Sequence, residues 1–178
     1  MDNYQMRFSG TGGQGMMLIG DVMAHYWGLV ADKQILLLKS YGPEARGGAC
    51  RSELIVDEKE CYPAVTRPDF LLCMSQQSYD TYTADADADT IIVADEEFVT
   101  TDDEKFPHTY RLPLTEIAKE KTGKAICANI VALGAITRLL NIDHDEMLKV
   151  LKKKLSAKIL AINLIAYEEG YQACNKIL

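Results

Sequence analysis

Residues 1–112 alternate short apolar runs with longer segments of helical periodicity, and this alternation limits the possible folds most. Strands separated by helices are typical of an α/β protein whose sheet is largely parallel and covered by helices on both faces. The uninterrupted apolar run at 34–38 predicts a central strand that is buried on both faces. The predicted strands are 4–8, 34–38, 49–56, 70–74, 90–94 and 110–112.

Capping residues and apolar spacing predict the helices. Gly28 is expected to close a helix at 16–27, and Gly123 to close one that begins near Pro113. The chain turns helical from Asn129, and Asp143 is a good N-cap for a further helix. Helices are also predicted at 75–82 and 159–174, and the acidic run at 84–89 is expected to be a solvated loop. The fold class is therefore α/β, a three-layer α/β/α domain with a helical C-terminal third, in a single domain at 1–178.

Composition excludes several classes of protein. The chain has 178 residues, with 19 Lys+Arg against 26 Asp+Glu and a net charge of -7, which argues against binding to a nucleic-acid backbone. We expect a cytoplasmic protein, because no apolar run reaches the roughly 20 residues of a membrane span and no signal peptide is apparent. The five cysteines include no CxxC pair, so we expect reduced thiols and neither an iron–sulfur cluster nor a cysteine-based zinc site.

The first unusual motif is GTGGQG, in which Gly10, Gly12, Gly13, Gln14 and Gly15 follow a predicted strand and precede a predicted helix. Glycines at such a turn permit positive φ, and the N–H groups of a helix N-terminus attract an anion. A dinucleotide site also needs an acidic residue at the end of the second strand, for the ribose hydroxyls. That strand here ends in a Lys-Ser-Tyr sequence, so the motif predicts a turn more strongly than an NAD site.

The second motif is YGPEARGG at 41–48, which supplies the candidate residues Tyr41, Gly42, Glu44, Arg46, Gly47 and Gly48. Its proline and glycines predict a loop. The arginine is suited to hold a phosphate or carboxylate, to pair with the neighbouring glutamate, or to anchor a partner chain. Neither motif contains a Cys–His or Ser–His pair, so we predict no catalytic residue and no metal ligand in this chain.

The order of these two motifs resembles the gamma subunit, or gamma domain, of the 2-oxoacid:ferredoxin oxidoreductases. ANIVALGA at 128–135, which includes Asn129, and Asn163, Ala166 and Gly170 in the last helix are similar to the same family. The resemblance covers nearly the whole chain. YGPEARGG looks more like the 2-oxoglutarate and branched-chain types than the indolepyruvate type, which tends to carry a histidine at the position of Tyr41.

Membership implies a complex that oxidatively decarboxylates a 2-oxoacid with coenzyme A, giving acyl-CoA, CO2 and reduced ferredoxin. The resemblance places thiamine diphosphate, magnesium and iron–sulfur clusters on other subunits, and no cofactor is expected on this chain. The implied partners are alpha, beta and ferredoxin-like delta subunits, together with ferredoxin. The glycine motifs and Asn129 are then expected to shape the shared active site, with coenzyme A near the glycine loops.

Two other classes of function remain open from the residues. The chain could be an independent oxidoreductase domain that binds NAD(P) or a flavin through GTGGQG. It could also be a binding module with no redox partner, whose glycine loops serve only as turns.

Overall fold

The computed structural model describes residues 3–40, 49–58, 64–101 and 104–175. The chain divides into two compact units, Met1–Arg111 and Leu112–Leu178. The first unit contains the sheet, and the second is helical, as the sequence predicts for the C-terminal third.

The sheet has six strands in the order β2-β3-β1-β4-β5-β6. β1 pairs in parallel with β4, and β4 with β5, whereas β3 is antiparallel to both β1 and β2. β1, β2, β4 and β5 therefore run in one direction, and the prediction of an α/β fold with a largely parallel sheet is confirmed. The strand bounds are β1 Tyr4–Thr11, β2 Gln34–Ser40, β3 Ala49–Asp57, β4 Phe70–Cys73, β5 Ile91–Asp95 and β6 Thr109–Leu112.

The prediction that 34–38 forms a central strand is wrong. β2 lies at one edge of the sheet, and its apolar residues are only half-buried. The apolar run of β2 is explained by its packing, since alternate residues of the strand lie against the first helix. A Cβ on Gly28 would lie 3.1 Å from the Ile35 side chain, and a Cβ on Gly20 would lie 3.1 Å from the Leu37 side chain.

Helices cover both faces of the sheet within the first unit. α1, Met16–His25, lies on one face, where the Ser52 hydroxyl of β3 donates to the Met16 carbonyl at 2.8 Å. α2, Gln76–Tyr82, lies on the other face, where the Tyr82 ring packs against the guanidinium of Arg7 in β1. This unit therefore has the predicted α/β/α layers.

The predicted cap at Gly28 is wrong. The α-helical part of the first helix ends at His25 and continues as a π-helical turn, Tyr26–Val30, so Gly28 lies inside that turn. The backbone enters the left-handed region only at Asp32, whose φ is 52°. Gly28 instead lies close to β2, where an added Cβ would be 3.1 Å from Ile35 Cγ1.

Ser75 begins α2 with a reciprocal cap. The Ser78 N–H donates to the Ser75 hydroxyl oxygen, and the Ser75 N–H donates to the Ser78 hydroxyl oxygen, both at 3.2 Å. We expect Ser75→Ala to lower the free energy of unfolding by about 1 kcal/mol, because a buried helix donor loses its acceptor. Urea denaturation measures the change. Thr81→Ala on the exposed side of α2 is the control, and an equal loss in both variants would contradict a role for the cap.

The second unit consists of helices joined by short turns. Their bounds are α3 Leu114–Thr122, α4 Ala128–Leu139, α5 His144–Lys154 and α6 Ala157–Asn175. Two sequence predictions are confirmed here. Gly123 ends α3 with a φ of 70°, and the Asp143 carboxylate caps α5 by accepting from the Glu146 N–H at 2.9 Å.

α4 and α6 cross at two glycines. A Cβ on Gly134 would lie 2.0 Å from the carbonyl oxygen of Tyr167, and a Cβ on Gly170 would lie 1.9 Å from that of Val131. Both distances are well inside van der Waals contact, so only glycine allows the two backbones to approach this closely.

Candidate functional site

The strand residues that flank the two glycine motifs lie at the same edge of the sheet. Thr11, the last residue of β1, pairs with Ala49, the first residue of β3. Ser40, the last residue of β2, pairs with Arg51 two positions further along β3. The segment 11–15 and the segment 41–48 are therefore attached to neighbouring strands at the same edge, as expected for loops that follow strand C-termini.

The GTGGQG turn depends on its glycines for backbone geometry. Gly13 and Gly15 have φ values of 93° and 79°, in the left-handed region that glycine enters without a steric penalty. Gly10 is the penultimate residue of β1, and a Cβ there would lie 2.5 Å from Gln14 Oε1 and 3.1 Å from Met74 Cβ. The tight turn that the motif predicts is confirmed.

Gln14 holds the turn closed through its side chain. Its Oε1 accepts from the Thr11 N–H at 2.7 Å, and its Nε2 donates to the Met74 carbonyl at 2.9 Å. A single amide side chain thus links the end of β1 to the end of β4. The sequence offered no signal for this role beyond the position of a polar residue between glycines.

Two backbone N–H groups of the turn have no acceptor within the described part of the chain. Gly12 and Gly13 are exposed, and their N–H groups have no acceptor among the residues that the structure describes. α1 begins at Gly15 with no side-chain cap and no acidic residue in its first turn. A helix N-terminus of this kind carries partial positive charge and unpaired donors, which suit an anion.

The second motif lies outside the described residues, so Tyr41, Gly42, Glu44, Arg46, Gly47 and Gly48 remain predictions. Lys39, just before it, donates to both carboxylate oxygens of Asp21 at 2.8 Å. The charge of Lys39 is therefore balanced by an acidic residue of α1. Asn129 belongs to the second unit, where it is buried as the second residue of α4.

Two cysteines flank β1 near the first turn. Cys50 pairs with Gly10 in the β1–β3 ladder, and Cys73 pairs with Ser9 in the β1–β4 ladder. Burial raises the pKa of Cys50, and it raises the pKa of Cys73 to about 12. Neither thiol is therefore an available thiolate near neutral pH.

Sequence reasoning missed a charged network beneath this edge. The Arg7 Nε donates to the Glu53 carboxylate at 2.7 Å, and its Nη1 donates to Asp85 at 2.7 Å. The Arg7 and Glu53 side chains are almost fully buried, with 3% and 8% of their surface exposed. Asp85 lies in the acidic run predicted to be a solvated loop, and part of that run is instead tied to the sheet.

The sheet order argues against a dinucleotide site. A Rossmann fold places the second strand beside the first and parallel to it, so that the acid at its end reaches the ribose. Here the antiparallel β3 separates β1 from β2. Within 3–40, 49–58, 64–101 and 104–175, no group of three or more His, Cys, Asp or Glu side chains is placed to hold a metal ion. No helix in those ranges is long and apolar enough to cross a membrane.

This α/β chain combines a mixed sheet, a glycine-rich turn after β1 and a helical C-terminal unit. The pyruvate ferredoxin/flavodoxin oxidoreductase family matches residues 5–173. The chain is 40% identical to the 2-oxoglutarate synthase subunit KorC of Methanocaldococcus jannaschii, covering 97% of this chain and 95% of that one. It is 29% identical to the ketoisovalerate oxidoreductase subunit VorA of Methanothermobacter thermautotrophicus, covering 93% of this chain and 35% of that subunit.

A solved structure points to the same family as these sequence relatives. The gamma subunit of a keto/oxoacid ferredoxin oxidoreductase from Geobacter sulfurreducens PCA superimposes with a TM-score of 0.87 and 33% identity, covering 99% of this chain and 98% of that one. The fold also matches, at 22% identity and a TM-score of 0.88, 32% of a chain of 2-oxoglutarate:ferredoxin oxidoreductase from Magnetococcus marinus.

The chain therefore belongs to the pyruvate ferredoxin/flavodoxin oxidoreductase family. The gamma-subunit assignment made from the two glycine motifs is confirmed, and the alternative of an independent NAD(P)- or flavin-binding enzyme is not supported.

Proposed function

We propose that this chain is the gamma subunit of a complex that oxidatively decarboxylates 2-oxoglutarate. In that reaction C1 leaves as CO2, two electrons pass to ferredoxin, and the sulfur of coenzyme A bonds to C2 to give succinyl-CoA. The 40% identity to a 2-oxoglutarate synthase subunit over almost the full length of both chains carries the proposal. The relative named for ketoisovalerate is less similar, at 29% identity.

Thiamine diphosphate, magnesium and the iron–sulfur clusters belong, in this proposal, to the alpha, beta and ferredoxin-like delta subunits, and the complex works in the cytoplasm. The absence of CxxC from the sequence supports that division. Thiamine diphosphate would supply the stabilised carbanion for decarboxylation, and the clusters would carry the electrons. This chain would bind and orient coenzyme A and exclude water from the thioester.

The coenzyme A phosphates are proposed to lie against the loop edge of the sheet. The exposed N–H groups of Gly12 and Gly13 and the uncapped start of α1 provide donors for an oxyanion. Arg46 and the other residues of 41–48 are proposed to join this site, since β3 begins opposite Thr11 and β2 ends at Ser40, opposite Arg51 of β3. Asn129 is proposed as a further residue that contributes to coenzyme A binding.

The first experiment tests the activity itself. The complex is purified through an affinity tag on this chain and assayed for reduction of ferredoxin. We expect reduction to require both 2-oxoglutarate and coenzyme A, with succinyl-CoA as product, and to be slower with 2-oxoisovalerate or pyruvate. A complex that reduces ferredoxin faster with either of those acids would contradict the choice of 2-oxoglutarate, and no 2-oxoacid-dependent reduction at all would contradict the proposed function.

A matched pair of glycines tests the role of the first loop. Gly13→Ala and Gly123→Ala both introduce a side chain at positive φ into open space, so both carry a strain of about 1 kcal/mol without a clash. We expect Gly13→Ala to raise the KM for coenzyme A several-fold and Gly123→Ala to leave it unchanged. Equal KM values in the two variants would remove the loop from the coenzyme A site.

Arg46→Ala tests the second loop in the same assay. Loss of a charge-assisted hydrogen bond to phosphate should raise the KM for coenzyme A by about tenfold. An unchanged KM would show that Arg46 serves a contact between subunits or within the chain. The KM for 2-oxoglutarate, measured alongside, shows whether the effect is confined to coenzyme A.

A further inference from the structure

Arg51 lies at the loop edge on the face of the sheet opposite α1. In the ladders it pairs with Ser9 of β1 and with Ser40 of β2, the residue directly before the second glycine motif. Neighbouring strand residues point to opposite faces, and Ser52 points to α1 through its bond to Met16. Arg51 therefore shares its face with Arg7 and Glu53, one step closer to the loops.

Glu53 and Tyr82 hold the Arg51 side chain in place. The Arg51 Nε lies 3.3 Å from Glu53 Oε2, and its guanidinium carbon lies 5.3 Å from the centre of the Tyr82 ring. Burial alone lowers the pKa of Arg51, but its interactions with Tyr82 and with the charge of Glu53 together raise the pKa above its ordinary value. The guanidinium is thus charged, orientated and attached to a rigid strand.

The two arginines of this network differ in their carboxylate partners. Arg7 contacts both Glu53 and Asp85 at 2.7 Å and is 3% exposed. Among the described residues, Arg51 has Glu53 as its one carboxylate partner, at 3.3 Å, and 36% of the Arg51 side chain is exposed. Within the described part of the chain, no second carboxylate pairs with Arg51. A guanidinium carries five N–H donors, so the Arg51 end of the network can accept another anion.

We propose that Arg51 binds an oxyanion of a substrate at the loop edge, either a phosphate of coenzyme A or a carboxylate of the 2-oxoacid. The inference rests on the proposed function of the complex. A planar guanidinium held from behind by Glu53 and Tyr82 loses little conformational freedom on binding, and its fork matches both kinds of oxyanion. Its place between the ends of the two glycine motifs brings it to the same edge as the N–H groups of the first turn.

Arg51→Gln and Arg51→Lys in the purified complex test the proposal. We expect Arg51→Gln to raise one of the two KM values about tenfold, with kcat within about twofold of wild type. Arg51→Lys should recover part of that loss, because it keeps the charge without the fork. A change in the KM for coenzyme A identifies the phosphate, and a change in the KM for 2-oxoglutarate identifies the carboxylate. Unchanged values for both substrates would overturn the proposal.

Arg67→Gln is the control for the loss of a surface arginine. Its guanidinium pairs with Asp87 at 2.6 Å, and 67% of the side chain is exposed. We expect normal KM values and normal assembly. If Arg51→Gln prevents assembly of the complex while the isolated chain melts at the wild-type temperature, Arg51 is a subunit contact and the proposal is wrong.

Two further measurements separate this proposal from the function on which it rests. The wild-type assay with 2-oxoglutarate decides the proposed function by itself. Titration of coenzyme A into the complex by calorimetry, without 2-oxoacid, then shows whether Arg51→Gln weakens binding when no turnover occurs. An active wild-type complex whose Arg51 variants have unchanged KM and binding values would refute the role of Arg51 alone.

Discussion

Gly170→Ala is expected to destabilise the chain by about 3 kcal/mol, although alanine is the better helix former by about 1 kcal/mol. The added Cβ would lie 1.9 Å from the Val131 carbonyl oxygen and 2.7 Å from its carbonyl carbon. Both are backbone atoms of α4, so no side-chain rotation can relieve the clash. α6 must move away from α4, which opens the packed interface along its length. Thermal unfolding of the full chain should show a fall in Tm of about 6–12 °C.

Gly134→Ala should have a similar effect, since its Cβ would meet the Tyr167 carbonyl oxygen at 2.0 Å. The double variant should lose less than the sum of the two single losses, because one separation of the helices relieves both clashes. Ala161→Gly on the exposed side of α6 measures the helix-propensity effect separately. A Tm for Gly170→Ala equal to or above that of wild type would mean that the helices are not in this contact.

Glu53→Gln is the second change with a large expected effect, a loss of about 3 kcal/mol in the free energy of unfolding. The variant keeps the size of the side chain but removes the charge that faces Arg7 at 2.7 Å. Arg7 is almost fully buried, and among the described residues its remaining carboxylate partner would be the half-exposed Asp85. A buried charge without its main partner is costly because water cannot replace the lost interaction. Guanidinium chloride denaturation measures the loss.

Asp85→Asn is the matched control, because it removes the other carboxylate of Arg7 from a more exposed position. We expect a loss of about 1 kcal/mol or less, since solvent screens an exposed pair. Replacement of both buried partners by Arg7→Met and Glu53→Leu should recover much of the stability lost in Glu53→Gln. Equal losses in Glu53→Gln and Asp85→Asn would show that burial does not set the strength of the network.

The sequence predicts those parts of the fold that depend on local chemistry. Gly123 at the end of α3 and Asp143 at the start of α5 satisfy backbone requirements within a few residues of themselves. The turn at Gly13 and Gly15 is similarly local, because glycine is needed wherever φ is positive. Such features are visible in one sequence without knowledge of which strands pair.

The wrong predictions concern features that depend on where a strand lies in the sheet. The apolar run of β2 indicates that its side chains meet apolar neighbours, but periodicity cannot distinguish an edge strand packed on a helix from a central strand. The apparent cap at Gly28 has the same origin, since its real constraint is the close approach to Ile35. Both depend on the antiparallel β3, which separates β2 from β1.

The charged network was not visible in the sequence for a related reason. Arg7 and Glu53 are 46 positions apart, and Arg7 and Asp85 are 78 positions apart. Arg7 lies between the apolar Met6 and Phe8 of its strand, a pattern that normally indicates a solvent-facing side. The pairing of β1 with β3 brings two such sides together under α2. The position of Arg51 follows from the same register.

The antiparallel pairing of β2 and β3 also bears on which part of the chain can tolerate changes in sequence. Seven consecutive residue pairs, from Gln34–Asp57 to Ser40–Arg51, fix the register of the two strands. A slip by one residue would turn Leu54 and Ile55 to the wrong faces, so the ladder resists sliding. Residues 41–48 between them can therefore change in sequence, and even in length, without shifting the scaffold. Exchange of this segment for the corresponding one of a relative is therefore expected to leave the remainder of the chain folded unchanged.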